Sequence, residues 1–230
     1  MRALGVIAIA VVAACADLTG YSGGAAENAA DAGADAAALP PDTVFADGFD
    51  DATPLPRAWD FASGAPVVVA SEKAVSAPNV FRGATTAPDL HESFVRKTFT
   101  LSGKTSVECA LSADVHTAPA GTYTTIMHLA VANDDYARVD VANTTEWKIY
   151  GQCGDACGFS DGAIHSFSGF QRVTLKYESS GRVTAAFGSE VRIAQARATD
   201  LSKVTLTVGL VLAPGDTAEV DFDDVRCSAQ

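Results

Sequence analysis

Three carboxylates near the end of the sequence could carry out acid–base or nucleophilic chemistry. They lie in the segment Glu219-Val220-Asp221-Phe222-Asp223. If this segment is a strand, its side chains alternate between two faces, so the acids share one face and the two apolar side chains share the other. A pair of carboxyl groups on one face can hydrolyse a glycosidic bond, one as acid and one as nucleophile. Catalysis by these acids is one hypothesis, and a purely structural role is the alternative.

Aromatic side chains show where a sugar could bind, because sugar rings stack on exposed aromatic faces. In the segment 146–150, alternation places Trp147 on one side with Ile149, and Tyr150 on the other. Trp147 then faces the sheet interior or a concave groove, and Tyr150 faces outward. Both are candidate ligand-binding residues, with simple packing in the core or on the surface as the alternative. The histidines have neither metal-ligand spacing nor a paired nucleophile and are expected to be core or surface residues: His91, His116, His128 and His165.

Four of the cysteines are expected to form two disulfides. Apart from Cys15 in the N-terminal segment, the chain has four cysteines. Cys153 and Cys157 lie in a short Gly-rich stretch, and zinc would require two further ligands that the neighbouring sequence lacks. We expect a local bridge between these two and a second bridge between Cys109 and Cys227, in an oxidising compartment.

Strands must hold these side chains, because apolar and polar residues alternate along much of the chain. In the segment 106–115 the apolar side comprises Val107, Cys109, Leu111, Ala113 and Val115. The segments 171–177 and 203–212 show the same period, and turn-forming residues separate the segments. No segment beyond residue 44 has an extended apolar repeat of helical period. The sequence therefore predicts an all-β fold, a two-sheet antiparallel jelly-roll sandwich spanning residues 43–230.

Both ends of this domain resemble a known fold family. The segment 45–51 (FADGFDD), followed by Pro56 and Trp59, and the segment 220–225 (VDFDDV) are similar to the first and last strands of concanavalin A-like jelly rolls. That superfamily includes legume-type lectins, laminin G-like modules and carbohydrate-binding modules. The resemblance implies a jelly roll and a carbohydrate ligand.

The resemblance also bears on both groups of acids. The segment 219–223 is similar to the Glu-x-Asp-x-Glu strand of laminarinase-type glycoside hydrolases, although its third acid is Asp223 and it lies on the terminal strand. Jelly rolls of the family often bind calcium where the first and last strands meet. The resemblance thus implies a structural Ca²⁺ held by Asp47, Asp50, Asp51, Asp223 and Asp224, with solvated charges as the alternative.

The N-terminus carries an export signal. Arg2 precedes an apolar run over residues 3–14, which is shorter than the roughly 18–20 residues that span a bilayer as a helix. The run ends in Val12-Ala13-Ala14-Cys15, which resembles the lipobox of bacterial lipoproteins. This implies a signal peptide at 1–14 and a lipidated Cys15 that attaches the protein to a membrane. Ala16 replaces the Asp that favours inner-membrane retention, so the outer membrane is expected.

Residues 15–42 are rich in Ala and Asp and contain no Lys or Arg, so a disordered tether is predicted. The whole chain has a net charge of −12, which repels phosphate backbones and excludes nucleic acid as a partner.

The sequence predicts a noncatalytic, envelope-anchored surface lipoprotein that binds a polysaccharide or another envelope component. The alternative is a divergent glycoside hydrolase using Glu219, Asp221 and Asp223.

Overall fold

A computed structural model describes residues 39–51, 53–64, 66–76, 78–85, 91–131, 135–153 and 157–230. The expected signal peptide, Cys15 and the tether up to residue 38 lie outside the described residues. The described part forms fifteen strands. The first eight are β1 (Thr43–Asp47), β2 (Phe61–Ser63), β3 (Val67–Ala70), β4 (Asn79–Thr85), β5 (Glu92–Thr100), β6 (Ser106–Thr117), β7 (Thr124–Ala130) and β8 (Tyr136–Ala142). The rest are β9 (Glu146–Cys153), β10 (Cys157–Ile164), β11 (Gln171–Glu178), β12 (Arg182–Phe187), β13 (Glu190–Gln195), β14 (Lys203–Val211) and β15 (Ala218–Ala229).

The strands form two antiparallel sheets that pack into a sandwich. The eight-stranded sheet has the order β13-β12-β11-β6-β15-β4-β3, with β1 paired to β15. The seven-stranded sheet has the order β10-β9-β8-β7-β14-β5-β2. The predicted all-β jelly-roll sandwich is confirmed. The first and last strands also pair, as the family resemblance implies, with Asp47 opposite Val225.

Alternation along the strands builds the core between the sheets. Val107, Cys109 and Leu111 of β6 point inward and are fully buried, and Leu206 and Val208 of β14 are buried in the same core from the other sheet. Burial of apolar surface stabilises this arrangement by about 25 cal/mol per Å². The two inner faces therefore form the core, which leaves the outer faces of the sheets for polar side chains.

The cysteines lie where strands pair. Cys109 on β6 and Cys227 on β15 are opposite one another and form a disulfide, with Cα atoms 4.1 Å apart and a sequence separation of 118. This prediction is confirmed. Cys153 is disulfide-bonded and lies opposite Cys157 in the β9–β10 pairing, which is the placement that the expected local bridge requires.

Candidate functional site: a groove on the seven-stranded sheet

One row of outward-facing side chains crosses the entire seven-stranded sheet. Strand pairing brings one residue from each strand into register, in the order Phe61, Arg96, Thr207, His128, Arg138, Tyr150 and Ser160. We call this set the groove row. Because neighbouring strands lie about 4.8 Å apart, the row is about 29 Å long. It presents two cations, an aromatic ring at one end, another next to the opposite end, and a histidine near its centre.

The middle of the row opens into a cavity of about 360 Å³, lined in part by Phe94, His128 and Tyr136. Gly209 lies on β14 between Thr207 and Val211, two residues that line the cavity. Gly209 has φ +127°, and a Cβ built there would lie 2.3 Å from the carbonyl oxygen of Ser93. Side chains are therefore excluded at this position, where β14 bulges against β7.

Both arginines of the groove row are held through the inner nitrogen of the guanidinium. Arg138 Nε donates to Asp140 Oδ2 at 3.1 Å, and Arg96 Nε donates to Thr207 Oγ1 at 3.3 Å. Within the described part of the chain, the terminal amino groups of these two arginines donate no hydrogen bond. By contrast, Arg197 Nη2 is paired with Asp135 at 2.9 Å. The two groove arginines thus present free, forked donors to the cavity.

Aromatic rings fix the planes of these guanidinium groups. Arg138 lies 4.4 Å from the ring centroid of Tyr150 and 5.9 Å from that of Tyr136. Arg96 lies 4.9 Å from the centroid of Phe94 and 5.7 Å from that of Phe61. Such cation–π contacts restrict the motion of the guanidinium and keep its donors in place.

His128 and Tyr136 lie side by side, with ring centroids 5.0 Å apart, and His128 lies between the two arginines in the groove row. Burial, helped by the positive charges of Arg138 and Arg96, lowers the pKa of His128 to about 4. Burial also raises the pKa of Tyr136 above its usual value of 10. Both side chains are therefore uncharged at neutral pH, and both lie close to Arg138.

The two aromatic candidates from the sequence have different positions. Tyr150 lies in the groove row. Trp147 does not contribute to it: the side chain is fully buried between the sheets, with its ring 5.9 Å from Phe187 and its Nε1 donating to Glu190 Oε2 at 3.2 Å. A ring in the core cannot stack on a sugar, so the ligand-binding assignment of Trp147 is corrected.

The acids expected to bind calcium are engaged by protein groups. Arg57 Nη2 lies 2.7 Å from Asp47 Oδ1, and Arg57 also pairs with Asp51. Trp59 Nε1 donates to Asp47 Oδ2 at 2.8 Å. Asp50 stands beside this group, and burial raises its pKa. The positive charge among these acids is thus supplied by an arginine.

The acids of the last strand are held in a similar way. Asp223 is fully buried and accepts hydrogen bonds from Val75 N, from Ser76 N and Oγ, and from Asp224 N, at 2.6–2.9 Å. Burial nevertheless raises the pKa of Asp223 to about 6. Asp224 lies 3.6 Å from Arg226. Within the described residues there is no group of three or more His, Cys, Asp or Glu side chains that could hold a metal. Calcium stays a prediction from the sequence.

The proposed hydrolase acids lie on the other sheet, away from the groove row. Arg82 binds Asp221 through two hydrogen bonds of 2.7 and 2.8 Å, and His116 Nε2 lies 2.9 Å from the same carboxylate. Burial alone would raise the pKa of Asp221, but the hydrogen bonds to Arg82 and His116 lower it below its usual value. Glu219 is 3.4 Å from Arg82, while Asp223 is covered by residues 75–76. No open pair of carboxylates results.

Sequence reasoning missed four residues of the groove: Arg96, His128, Tyr136 and Arg138. His128 is expected from the sequence to be a core or surface residue, because the histidines have neither metal-ligand spacing nor a paired nucleophile. Alternation along β8 does place Tyr136 and Arg138 on one face, and this was the available signal. That these residues lie on the same sheet face as Arg96 depends on the strand order, which a single sequence does not show.

No protein-family model matches the chain, and no curated protein is significantly similar to it in sequence. Several solved structures have a similar fold. The cellulose-induced protein Cip1 has a TM-score of 0.56 and 13% identity, covering 74% of this chain and 88% of its own. Alginate lyase A1-II', a member of polysaccharide lyase family 7, has a TM-score of 0.54 and 10% identity, covering 74% of this chain and 85% of its own. The binding domain of botulinum neurotoxin DC, in complex with rat synaptotagmin II, has a TM-score of 0.52 and 8% identity, covering 73% of this chain.

This chain spans only 42% of the neurotoxin domain. Identities of 8–13% establish the fold alone. Fold and site together define a jelly-roll sandwich that carries an open groove with two free arginines on one sheet.

Proposed function

We propose that the sandwich binds an acidic polysaccharide along the groove row. The observation that carries this proposal is the pair Arg96 and Arg138, each held at Nε with its terminal donors free. A guanidinium fork matches a carboxylate in two parallel hydrogen bonds, which makes arginine well suited to recognise uronic acids. The two lie three strands apart in register, about 14 Å, so they would contact different sugar units of one chain.

The rest of the groove row suits a sugar chain. Phe61 is 47% exposed at one end, and Tyr150 lies near the other. Aromatic faces bury the apolar side of a sugar ring, and the arginines would bind its acid groups. The chain as a whole has a net charge of −12, so attraction of an anion must be local to the groove. Binding should therefore be sensitive to ionic strength.

Titration calorimetry with oligouronates and with a neutral β-glucan tests this function. We expect oligouronates to bind, and Arg138→Gln and Arg96→Gln each to weaken binding about tenfold or more, since each removes a charge-assisted pair. Arg172→Gln is the matched control: Arg172 is a half-exposed arginine on the outer face of the other sheet. Equal losses in all three variants, or equal binding of the neutral glucan, would overturn the proposal.

A second candidate function is cleavage of the same ligand by elimination. The observation in its favour is the uncharged pair His128 and Tyr136 beside Arg138. In such a reaction a base removes the proton next to the carboxylate, a carbon–carbon double bond forms, and the bond to the leaving oxygen breaks as that oxygen gains a proton. A neutral imidazole can accept the first proton, and a phenol can donate the second. Appearance of the unsaturated product, lost in His128→Gln but retained in Arg172→Gln, would support it.

We further propose that Cys15 is lipidated and anchors the protein to the cell envelope, at the outer membrane. Support comes from the sequence Val12-Ala13-Ala14-Cys15 and from the absence of Asp at position 16. Within the described residues, no helix is long and apolar enough to cross a membrane. A lipid at Cys15 would hold the sandwich at the surface through the segment before β1.

A further inference from the structure

Asp140 is a buried carboxylate on an otherwise open face. It lies on β8, two residues from Arg138 and on the same side of the strand, in register with Thr125 and Lys148 on the neighbouring strands. Its side chain is only 1% exposed. Burying a carboxylate costs free energy unless the group is paired and hydrogen-bonded. A strand position of this kind would accept an apolar residue, so the charge requires an explanation.

Each oxygen of this carboxylate has one partner. Thr125 Oγ1 donates to Oδ1 at 2.9 Å, and Arg138 Nε donates to Oδ2 at 3.1 Å. Burial raises the pKa of Asp140, while the nearby Arg138 lowers it. The threonine fixes the plane of the carboxylate, and the carboxylate in turn fixes the direction of the guanidinium. Tyr150 supports the guanidinium from the side, at 4.4 Å from its ring centroid.

We infer that Asp140 is a positioning residue, which holds Arg138 so that both of its terminal amino groups point into the groove. This inference rests on the proposed function for its consequence in binding. An arginine held at Nε loses less conformational freedom when it binds a carboxylate, so the ligand binds more tightly. Asp140 would contribute in this way without contacting the ligand.

The direction in which one substitution changes the affinity for oligouronate separates positioning from simple electrostatics. Asp140→Asn removes a negative charge from a site for anions, so electrostatics alone would strengthen oligouronate binding. An amide, however, can accept from only one of the two donors, because its amino group faces the other. Loss of positioning therefore weakens binding, and we expect about tenfold weaker binding.

Glu92→Gln is the matched control, because Glu92 lines the same cavity and contacts neither groove arginine. This variant loses the same charge, and we expect slightly tighter binding. Thr125→Val should weaken binding in the same direction as Asp140→Asn, by a smaller factor. In an Arg138→Gln background, Asp140→Asn should have no further effect on affinity. Any of three results would overturn the inference. These are tighter binding in Asp140→Asn, equal weakening in Asp140→Asn and Glu92→Gln, and additive losses of affinity when Asp140→Asn is combined with Arg138→Gln.

A second readout needs no ligand. In the ¹⁵N spectrum, the Nε–H signal of Arg138 should exchange slowly with water in the native protein and several-fold faster in Asp140→Asn, with an unchanged circular dichroism spectrum. Unchanged exchange would overturn the positioning role. If the native protein binds no oligouronate, the proposed function fails, and the exchange experiment still decides whether Asp140 positions Arg138.

Discussion

Arg57 and Asp47 form a buried ion pair, with Nη2 of the arginine 2.7 Å from Oδ1 of the aspartate and both side chains 9% exposed. The pair lies where β1 leaves the eight-stranded sheet, and Arg57 also pairs with Asp51. The arginine lies 5.2 Å from the ring centroid of Phe49, which is itself fully buried. One cation thus joins the first strand to the loop that follows it.

Arg57→Gln should lower the free energy of unfolding by about 3 kcal/mol, because it leaves the buried carboxylate of Asp47 without its counter-charge. Urea unfolding measures this. Arg182→Gln provides the control, since Arg182 is exposed on β12 and should change stability little. A loss no larger than that of the control would show that the pair is not a net source of stability.

The predicted calcium site is tested by thermal unfolding in millimolar calcium and in EDTA. Because Arg57 and the loop at residues 75–76 already bind Asp47, Asp51 and Asp223, we expect the same melting temperature in both buffers. An ion that binds only the native state at a hundredfold excess over its Kd would add about 2.7 kcal/mol. A clear rise with calcium would therefore restore the site predicted from the sequence.

His128 should make the protein less stable in mild acid. Its pKa is about 4 in the folded chain against 6.5 in a model peptide, so the unfolded chain binds more protons between these values. Stability is then lost as the pH falls from 6.5 towards 4, by about 2–3 kcal/mol. Unfolding measured across this range in the native protein and in His128→Gln isolates the contribution. An equally steep loss in both proteins would contradict the assignment.

The Cys109–Cys227 disulfide joins two central strands whose cysteines have a sequence separation of 118. Replacing both cysteines with alanine should destabilise the domain by about 2–5 kcal/mol. Reductant should lower the melting temperature of the native protein more than that of the double variant, which serves as its own control. Equal sensitivity to reductant would place the stabilising bridge elsewhere.

The glycoside hydrolase alternative also has a direct test. Asp221 is held by Arg82 and His116, and Asp223 is covered, so we expect no hydrolysis of β-glucans. Release of reducing sugar is the measurement. Hydrolysis that disappears in Glu219→Gln but not in Glu108→Gln, an exposed acid on β6, would show that these carboxylates are catalytic after all.

Cys15→Ser tests the lipid anchor. The native protein should partition into detergent and carry acyl mass on Cys15, and the variant should lose both properties, because several buried CH₂ groups are needed for stable attachment. Mass spectrometry of the mature N-terminus is the measurement. A variant that keeps the acyl mass would refute the assignment.

Period-two alternation was sufficient to predict the fold. It placed Val107, Cys109 and Leu111 inside and put Trp147 and Tyr150 on opposite faces, as the structure has them. The Cys109–Cys227 bridge followed from the number and spacing of the cysteines. The strand faces depend on local pattern, and the disulfide depends on a choice among few possible cysteine pairings.

The groove row depends on strand order and register instead. Arg96 and His128 lie on either side of Thr207 only because β14, much later in the chain, lies between β5 and β7. Sequence pattern alone does not specify such non-local pairing. Likewise, the counter-charge of Asp47 comes from Arg57 in a loop, where side-chain direction follows no period.

Thr43 at the start of β1 is paired with Ser228 near the end of β15, so the two ends of the domain lie side by side on the eight-stranded sheet. The groove row occupies the outer face of the other sheet. A domain of this layout can be coupled to a bead, fused to a reporter or inserted into a loop of another protein through both ends at once. None of these attachments would obstruct the face that we propose binds the polysaccharide.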